Sequence, residues 1–168
     1  TAENYTACAA DSADFSLWQW TESAGSNRGA YVGGAGNVNS PTACNGVISF
    51  DSDFYDNNGV AGDFGLGPCS ASQAGAITSP AIDISGSPDV AGVAITFYQA
   101  LRQFQSSYFV GWSLDGGVTW DSTQINQEYE VNSPHIQDIE RVNLPPEAIG
   151  VSDLRIRFTM APANYYYW

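Results

Sequence analysis

One short stretch of the sequence concentrates side-chain oxygens. It contains Asp51, Asp53, Asp56 and Asn58 and is followed by Gly59. Ca²⁺ binds about six to eight oxygen ligands, and loops rich in Asp, Asn and Gly supply them from a local segment. The spacing is not that of an EF-hand, and Asp and Asn also close turns by hydrogen bonding to nearby backbone. Two interpretations therefore stay open, a Ca²⁺ site and a turn-rich loop without metal.

A second acidic pair raises the question of glycoside hydrolysis. Glu128 and Glu130 flank Tyr129. On a β-strand they would share one face about 6–7 Å apart, near the separation that glycosidases use between their two carboxyl groups. Jelly-roll glucanases carry a denser acidic motif, which neither this pair nor residues 138–140 match. We therefore expect a solvated strand edge and no catalytic residues.

The sequence offers no other catalytic pattern. His135 is the single histidine and follows Pro134, which favours an exposed loop. Neither a triad nor a zinc site can be built around one histidine without a partner motif. No phosphate-binding glycine motif is present. The expectation is a protein that is not an enzyme and that needs no cofactor other than Ca²⁺.

Three cysteines allow one disulfide and leave one thiol over. Cys44 and Cys69 both lie beside Asn, Gly and Pro turns around the acidic segment, so we expect these two to pair. A bridge across that loop would stabilise the fold by about 3 kcal/mol in the chain-entropy model. Pairing of Cys8 with Cys44, or three reduced and buried thiols, are the alternatives.

Aromatic residues make up 13% of the chain, enough that some are expected at the surface. The faces of Trp and Tyr stack on sugar rings, and Tyr165, Tyr167 and Trp112 are candidates for such a platform. The alternative is that these rings pack between sheets. An exposed platform would make the chain a carbohydrate-binding module.

A β-hairpin at residues 108–120 organises the elements that position these groups. Apolar residues alternate in its first arm, and Asp115 with two glycines supplies the turn. The pattern S-x-D-x-G-x-T-W resembles the Asp-box hairpin of sialidases and of many unrelated secreted β-proteins. We expect its members to hold the turn, with the Trp filling the core; they are Ser113, Asp115, Gly117, Thr119 and Trp120. The motif is typical of a hairpin and indicates no activity.

The rest of the chain reads as further strands. Apolar alternation or β-rich composition predicts strands near residues 15–20, 47–50, 76–85, 90–102, 135–144 and 151–160. No stretch has a clear helical period, although residues 145–149 suit one helical turn. We therefore predict an all-β fold, a two-sheet antiparallel, jelly-roll-like sandwich in one domain spanning residues 1–168.

The net charge of the chain limits the classes of binding partner that are expected. The chain carries 18 acidic residues against five basic ones, a net charge of −13, which disfavours nucleic acid and anionic lipid. No apolar run is long enough to span a membrane. Richness in Gly, Ser, Asn and aromatic residues is typical of exported β-proteins. We expect a secreted protein, extracellular or at the cell surface.

Several segments together resemble a known family. They are residues 50–59, 67–69, 78–85, 113–120, 154–158 and 166–168. In this order they look like the MAM-like jelly-roll modules of large secreted Bacteroidetes proteins. The resemblance covers roughly residues 45–168 and implies extracellular adhesion or recognition without catalytic residues. Such modules run on into one more strand, whereas this sequence stops at Trp168.

These observations predict a non-catalytic interaction or assembly module, such as an adhesion domain or a subunit of a surface filament or matrix. Its partners would be other copies of itself, other surface proteins or glycans. Residues 1–13 form a candidate N-terminal arm, and residues 1–10 a candidate donor strand for a neighbouring copy. A carbohydrate-binding module is the first alternative and a small glycoside hydrolase the second.

Overall fold

The computed structural model describes residues 1–6, 8, 16–22, 28–31, 38–87 and 89–168. Within these residues the chain forms nine β-strands, one short α-helix and two single-turn 3-10 helices. The strands are β1 (Ala2–Asn4), β2 (Trp18–Thr21), β3 (Val47–Phe50), β4 (Gln73–Thr78), β5 (Ala94–Leu101), β6 (Tyr108–Ser113), β7 (Asp121–Ile125), β8 (Ile136–Asn143) and β9 (Arg155–Ala163). The helix is α1 (Ser52–Asn57), and the 3-10 turns are Ala43–Asn45 and Pro146–Ala148.

The strands form two antiparallel layers. The first is a five-stranded sheet in the order β1-β4-β9-β6-β7. The second consists of the pairs β2–β3 and β5–β8, which the C-terminal segment 166–168 joins. Phe50 and Trp168 exchange both backbone hydrogen bonds, at 2.7 and 3.0 Å, and the Arg102 N–H donates to the Tyr167 carbonyl at 3.2 Å. The predicted all-β, two-sheet antiparallel sandwich is confirmed.

The core lies between the two layers and is centred on the last residue. Trp168 is 7% exposed, and its ring meets those of Trp18, Tyr108 and Phe158 at centroid distances of 5.3, 5.2 and 5.7 Å. The Trp168 Nε1–H donates to the Gln99 side chain at 2.9 Å, so the indole is satisfied inside the core. The aromatic end of the chain is thus part of the sandwich itself.

The first residues belong to the edge of the first sheet. β1 pairs antiparallel with β4, and the Thr1 amino group donates to the Thr78 carbonyl at 2.8 Å. Cys8 is buried against the same layer. The described part of the candidate donor strand is therefore paired within its own domain, whereas the donor role would require it to be free for a neighbouring copy. Residues 7 and 9–13 of the predicted arm lie outside the described residues.

The disulfide joins Cys8 to Cys69, so the expected Cys44–Cys69 pairing was wrong. The reason is sheet pairing between segments distant in sequence: Tyr5 N–H donates to the Ala74 carbonyl at 2.7 Å, which brings the chain after β1 beside the chain before β4. Cys44 lies exposed in the first 3-10 turn as a free thiol. One of the three cysteines is left over, as predicted.

Helix α1 is the element that the sequence did not reveal. It begins directly after Asp51, whose carboxylate accepts the Phe54 N–H at 3.4 Å, and ends at Asn58, which has a φ of +53°. Asp at the N-cap and a left-handed residue at the end are usual helix boundaries. Because α1 has only six residues, it contains too few turns for a helical period to show. The expected turn at 145–149 is present as Pro146–Ala148.

Candidate functional sites

The hairpin loop between β6 and β7 is held by Asp115. Its Oδ1 accepts the Ser113 hydroxyl at 2.7 Å and the N–H groups of Val118 and Thr119 at 3.0 and 2.9 Å. Its Oδ2 accepts the Thr119 hydroxyl at 2.6 Å. The Gly117 N–H donates to the Ser113 hydroxyl oxygen at 2.8 Å, from a φ of +98° that favours glycine. Through these bonds Ser113, Asp115, Gly117 and Thr119 hold the turn.

Trp120 does not fill the core. It is half-buried, the Arg157 guanidinium lies 3.9 Å from its ring centroid, and its Nε1–H donates to the Gly117 carbonyl at 3.0 Å. The second hairpin arm begins at Asp121, so Trp120 belongs to the turn, and Val118 is 81% exposed. The prediction for Trp120 was therefore wrong: its ring covers Arg157, a residue on the face of β9 that points away from the core.

Asp51 anchors a distant segment of the chain. Its carboxylate accepts the Arg28 N–H at 3.0 Å as well as the Phe54 N–H, and the Arg28 guanidinium lies 3.8 Å away. The Asp51 residue is fully buried. Burial raises the pKa of Asp51 to about 6, although the hydrogen bonds and Arg28 act in the opposite direction.

Asp53 and Asp56 have the same kind of role. Asp53 accepts the Tyr31 N–H at 2.7 Å and the Asn57 side-chain amide at 2.6 Å. Burial raises the pKa of Asp53 as well. Asp56 accepts the Ala71 N–H at 2.8 Å through Oδ1, whereas its buried Oδ2 has no hydrogen-bond partner among the described residues. The acidic segment therefore ties α1 to two stretches of backbone that are remote in sequence.

Most of the carboxylate oxygens predicted to bind Ca²⁺ instead accept hydrogen bonds from other parts of the chain. Asn58 is exposed at the end of α1, away from the buried carboxylates. In the part of the chain that the structure describes, the group of three carboxylates that meet within 4.8 Å is a different one, Glu128 with Asp138 and Glu140. The geometry agrees with the turn-rich interpretation for most of the side-chain oxygens, and Ca²⁺ binding stays a prediction.

Glu128 lies beside two carboxylates of β8. The carboxylates of Glu128, Asp138 and Glu140 lie within 4.8 Å of one another, and the first two are exposed. Tyr129 donates its hydroxyl to Asp138 at 3.0 Å. Burial and the neighbouring carboxylates raise the pKa of Tyr129 to about 12. Glu128 and Glu130 lie in the connection between β7 and β8 rather than on a strand, so the expected strand edge is not formed at these two residues, and the absence of catalysis stays a prediction.

The single histidine supports the C-terminal segment. His135 Nδ1 lies 2.6 Å from the Tyr167 hydroxyl, and burial lowers the pKa of His135. Tyr167 is 4% exposed. Within the described residues, His135 therefore packs on the fold rather than standing beside a nucleophile.

The predicted aromatic platform is not assembled. Tyr167 is buried, and Trp112 is half-buried and packed on the core. Tyr165 instead belongs to a row of rings with Phe64 and Phe104, at centroid distances of 5.4 and 5.8 Å. These contacts are edge to face, at 72° and 62°, so the rings pack on each other and do not present a shared flat surface.

The loop after α1 exposes apolar side chains that the sequence analysis did not single out. Val60, Phe64 and Leu66 are 50%, 53% and 72% exposed, and we call them the Phe64 surface. The loop is fixed from within: the Gly67 N–H donates to the Asp56 carbonyl at 2.7 Å, and the Gly62 N–H to the Tyr31 hydroxyl at 2.9 Å. The sequence signal was present, since these apolar residues stand in a Gly-rich loop without the alternation that would bury them.

Comparison of the chain with protein-family models, curated proteins and solved structures gave no match. The resemblance to MAM-like modules therefore stays a prediction. Among the described residues, no helix has the length and apolar character needed to cross a membrane.

Proposed function

We propose that this chain is a non-catalytic interaction module that works outside the cell and assembles with other copies of itself. The observation that carries the proposal is the Phe64 surface, where three large apolar side chains project from one loop at half exposure or more. Contiguous exposed apolar groups on a small soluble domain mark contact surfaces. Aromatic anchors of this kind supply much of the binding energy at protein interfaces.

The fixed backbone of the loop supports the same role. The Asp56 carbonyl and the Tyr31 hydroxyl accept hydrogen bonds from the loop backbone, and Cys69 at the end of the loop forms a disulfide with Cys8. A contact surface that is already ordered loses little conformational entropy on binding. The disulfide is also typical of proteins that function in an oxidising compartment, which supports an extracellular setting.

Carbohydrate binding is the less favoured alternative. Sugar sites combine exposed ring faces with polar groups beside them. Around Phe64 the neighbouring exposed side chains are aliphatic, and the Phe64 ring is itself covered by Tyr31, stacked at a centroid distance of 5.7 Å, and by the edge-to-face contact with Tyr165. A protein surface fits this chemistry better than a sugar does. Hydrolysis is less favoured because Glu128 and Glu130 lie in the connection between β7 and β8, not on the β-strand that would set the separation typical of glycosidases.

Sedimentation velocity over a wide concentration range tests the proposal. We expect the wild-type chain to self-associate and the double variant Phe64→Ser, Leu66→Ser to be monomeric. Val118→Ser is the matched control, because Val118 is 81% exposed on the hairpin turn, and it should associate as the wild type does. A wild-type chain that stays monomeric would contradict the proposal. Binding on a glycan array that the double variant lost would put the carbohydrate alternative in its place.

A further inference from the structure

A polar cleft lies at one side of the sandwich, between edge strands of the two layers. β7 ends the five-stranded sheet, and β8 belongs to the second layer, where it pairs with β5. Between β7 and β8 is a space of about 550 Å³, which we call the β7–β8 cleft. It is lined by Trp112 and by residues 123–128 and 140–143. Its volume falls within the range of about 300–1,000 Å³ that is usual for ligand sites.

The base of the cleft is apolar. Tyr108, Val110 and Trp112 share the inward face of β6, but whereas the first two are 1% and 0% exposed, Trp112 is only half-buried and lines the cleft. Ile125 of β7 and Val142 of β8 complete the base. The Nε1 atom of Trp112 is buried and has no acceptor among the described residues. A buried donor without an acceptor is unfavourable, so a ligand oxygen that accepted this N–H would remove a penalty.

Polar side chains form a rim around this base. They are Gln124, Gln127, Glu128, Glu140, Arg141 and Asn143. Within the described part of the chain, neither the Gln124 amide nor the Glu128 carboxylate makes a hydrogen bond through its side chain. The cleft therefore combines an aromatic ring with polar groups that are available to a ligand, which is the combination that the Phe64 surface lacks.

We propose that the β7–β8 cleft binds a neutral oligosaccharide. Each sugar hydroxyl both donates and accepts hydrogen bonds, so it pairs with the carboxylates and amides of the rim as well as with the Trp112 N–H. The C–H groups on the faces of the sugar ring pack on the apolar base. Val60, Phe64 and Leu66 do not line the cleft, so the site is separate from the Phe64 surface, and its occupancy does not depend on self-association.

The charges at the cleft define the class of saccharide. The carboxylates of Glu128, Asp138 and Glu140 lie within 4.8 Å of one another, and none of them takes part in an ion pair between described residues. Arg141 on the same rim donates its Nε–H to the Asn143 side chain at 3.2 Å. A sugar with a carboxylate or sulfate group would bring a further negative charge beside the three carboxylates, and such like-charge contacts are unfavourable. We therefore expect neutral sugars to bind in preference to acidic ones.

Calorimetric titration with a panel of oligosaccharides tests the proposal. The probes are neutral gluco-, xylo-, manno- and galacto-oligosaccharides, with oligogalacturonate as the acidic counterpart. We expect a dissociation constant of about 1 mM or lower for at least one neutral probe and binding at least about tenfold weaker for oligogalacturonate. The double variant Phe64→Ser, Leu66→Ser should bind as the wild type does. The proposal is overturned if no neutral probe binds, if oligogalacturonate binds more tightly, or if the double variant loses binding.

The indole N–H signals in nitrogen-15 NMR spectra locate the bound sugar. Trp112→Phe keeps an apolar ring and removes the N–H, so it identifies the Trp112 signal and should weaken binding about fivefold or more. On titration, the Trp112 signal should shift, whereas that of Trp120, which donates to the Gly117 carbonyl, should not. Glu140→Gln should weaken binding about tenfold by removing charge-assisted hydrogen bonds. Glu147→Gln, at an exposed glutamate that does not line the cleft, is the matched control. An unmoved Trp112 signal, or cleft variants that bind as the control does, would refute the assignment.

Discussion

Two aspartate-rich regions use the same hydrogen-bonding chemistry in opposite environments. In the hairpin, the exposed Asp115 accepts bonds from residues two to four positions away. In the segment around α1, the buried Asp51, Asp53 and Asp56 accept bonds from residues at separations of up to 23. Hydrogen bonds hold the pKa of Asp115 below its usual range, whereas burial raises the pKa of Asp51 to about 6.

The difference shows what each region contributes. The hairpin carboxylate organises one local turn and stays hydrated, so its charge costs little. The buried carboxylates connect separate stretches of the chain, and their charges carry a desolvation penalty that the hydrogen bonds only partly offset. We therefore expect the fold to be more sensitive to changes around α1 than to changes in the hairpin.

The largest effect is expected from the disulfide beside α1. Cys8 and Cys69 are 61 residues apart, and closing a loop of that length contributes about 4 kcal/mol in the chain-entropy model. Replacing both by Ser should lower the free energy of unfolding by up to that amount in denaturant titration. Cys44→Ser should have little effect, because Cys44 is exposed and unbonded. A larger loss in Cys44→Ser than in the double variant would contradict the assigned pairing.

The second-largest loss of stability is expected when the buried carboxylate of Asp53 is removed. Asp53→Ala leaves the Tyr31 N–H and the fully buried Asn57 amide without their acceptor, which should cost about 3 kcal/mol. Thermal and denaturant unfolding measure the loss. Asp89→Ala, at an exposed aspartate, is the matched control and should be near neutral. If the two variants were equally stable, Asp53 would not be an anchor.

The contrast between the two regions also explains what the sequence could predict. The hairpin bonds join neighbours in sequence, so the motif around Asp115 indicated them directly. The existence of alternating strands such as β9 could be predicted for the same reason, since period two is a local pattern, whereas their pairing register could not. The Cys8–Cys69 bond and the acceptors for the Arg28 and Tyr31 N–H groups depend on contacts between distant segments, which no local pattern contains.

Substitution of Trp120 tests how much the hairpin contributes to the stability of the fold. Because its ring stacks on Arg157 at the surface and leaves no core cavity, Trp120→Ala should cost about 1–2 kcal/mol, well below the value for a buried Trp. Trp120→Phe should recover part of the loss by keeping a ring over the guanidinium. Denaturant titration of both variants measures it. A loss as large as that of Asp53→Ala would mean that the ring is part of the core after all.

The pH dependence of stability should have opposite signs in the two regions. The folded-state pKa of Asp115 is lowered, so its stabilisation is present above about pH 4 and is lost as pH falls. The folded-state pKa of Asp51 is raised to about 6, so its contribution to stability falls as pH rises from about 4 to 6. The free energies of unfolding of Asp115→Asn and Asp51→Asn, each compared with wild type from pH 3 to 7, distinguish the two contributions. Differences of the same sign for both variants would refute the comparison.

The smallest effect on stability is expected from the addition of Ca²⁺. The oxygens of Asp51 and Asp53 already accept N–H groups, and within the described part of the chain Oδ2 of Asp56 is the one carboxylate oxygen of this segment that is buried without a partner, whereas Ca²⁺ needs about six to eight oxygens. A ligand at 100 times its dissociation constant would stabilise the fold by about 2.7 kcal/mol, so binding of that strength would raise the melting temperature measurably. We expect no change between chelator and millimolar Ca²⁺. A rise abolished by Asp56→Asn but kept in Glu140→Gln would establish a site at α1, and the reverse pattern would place the ion at the exposed Glu128 cluster.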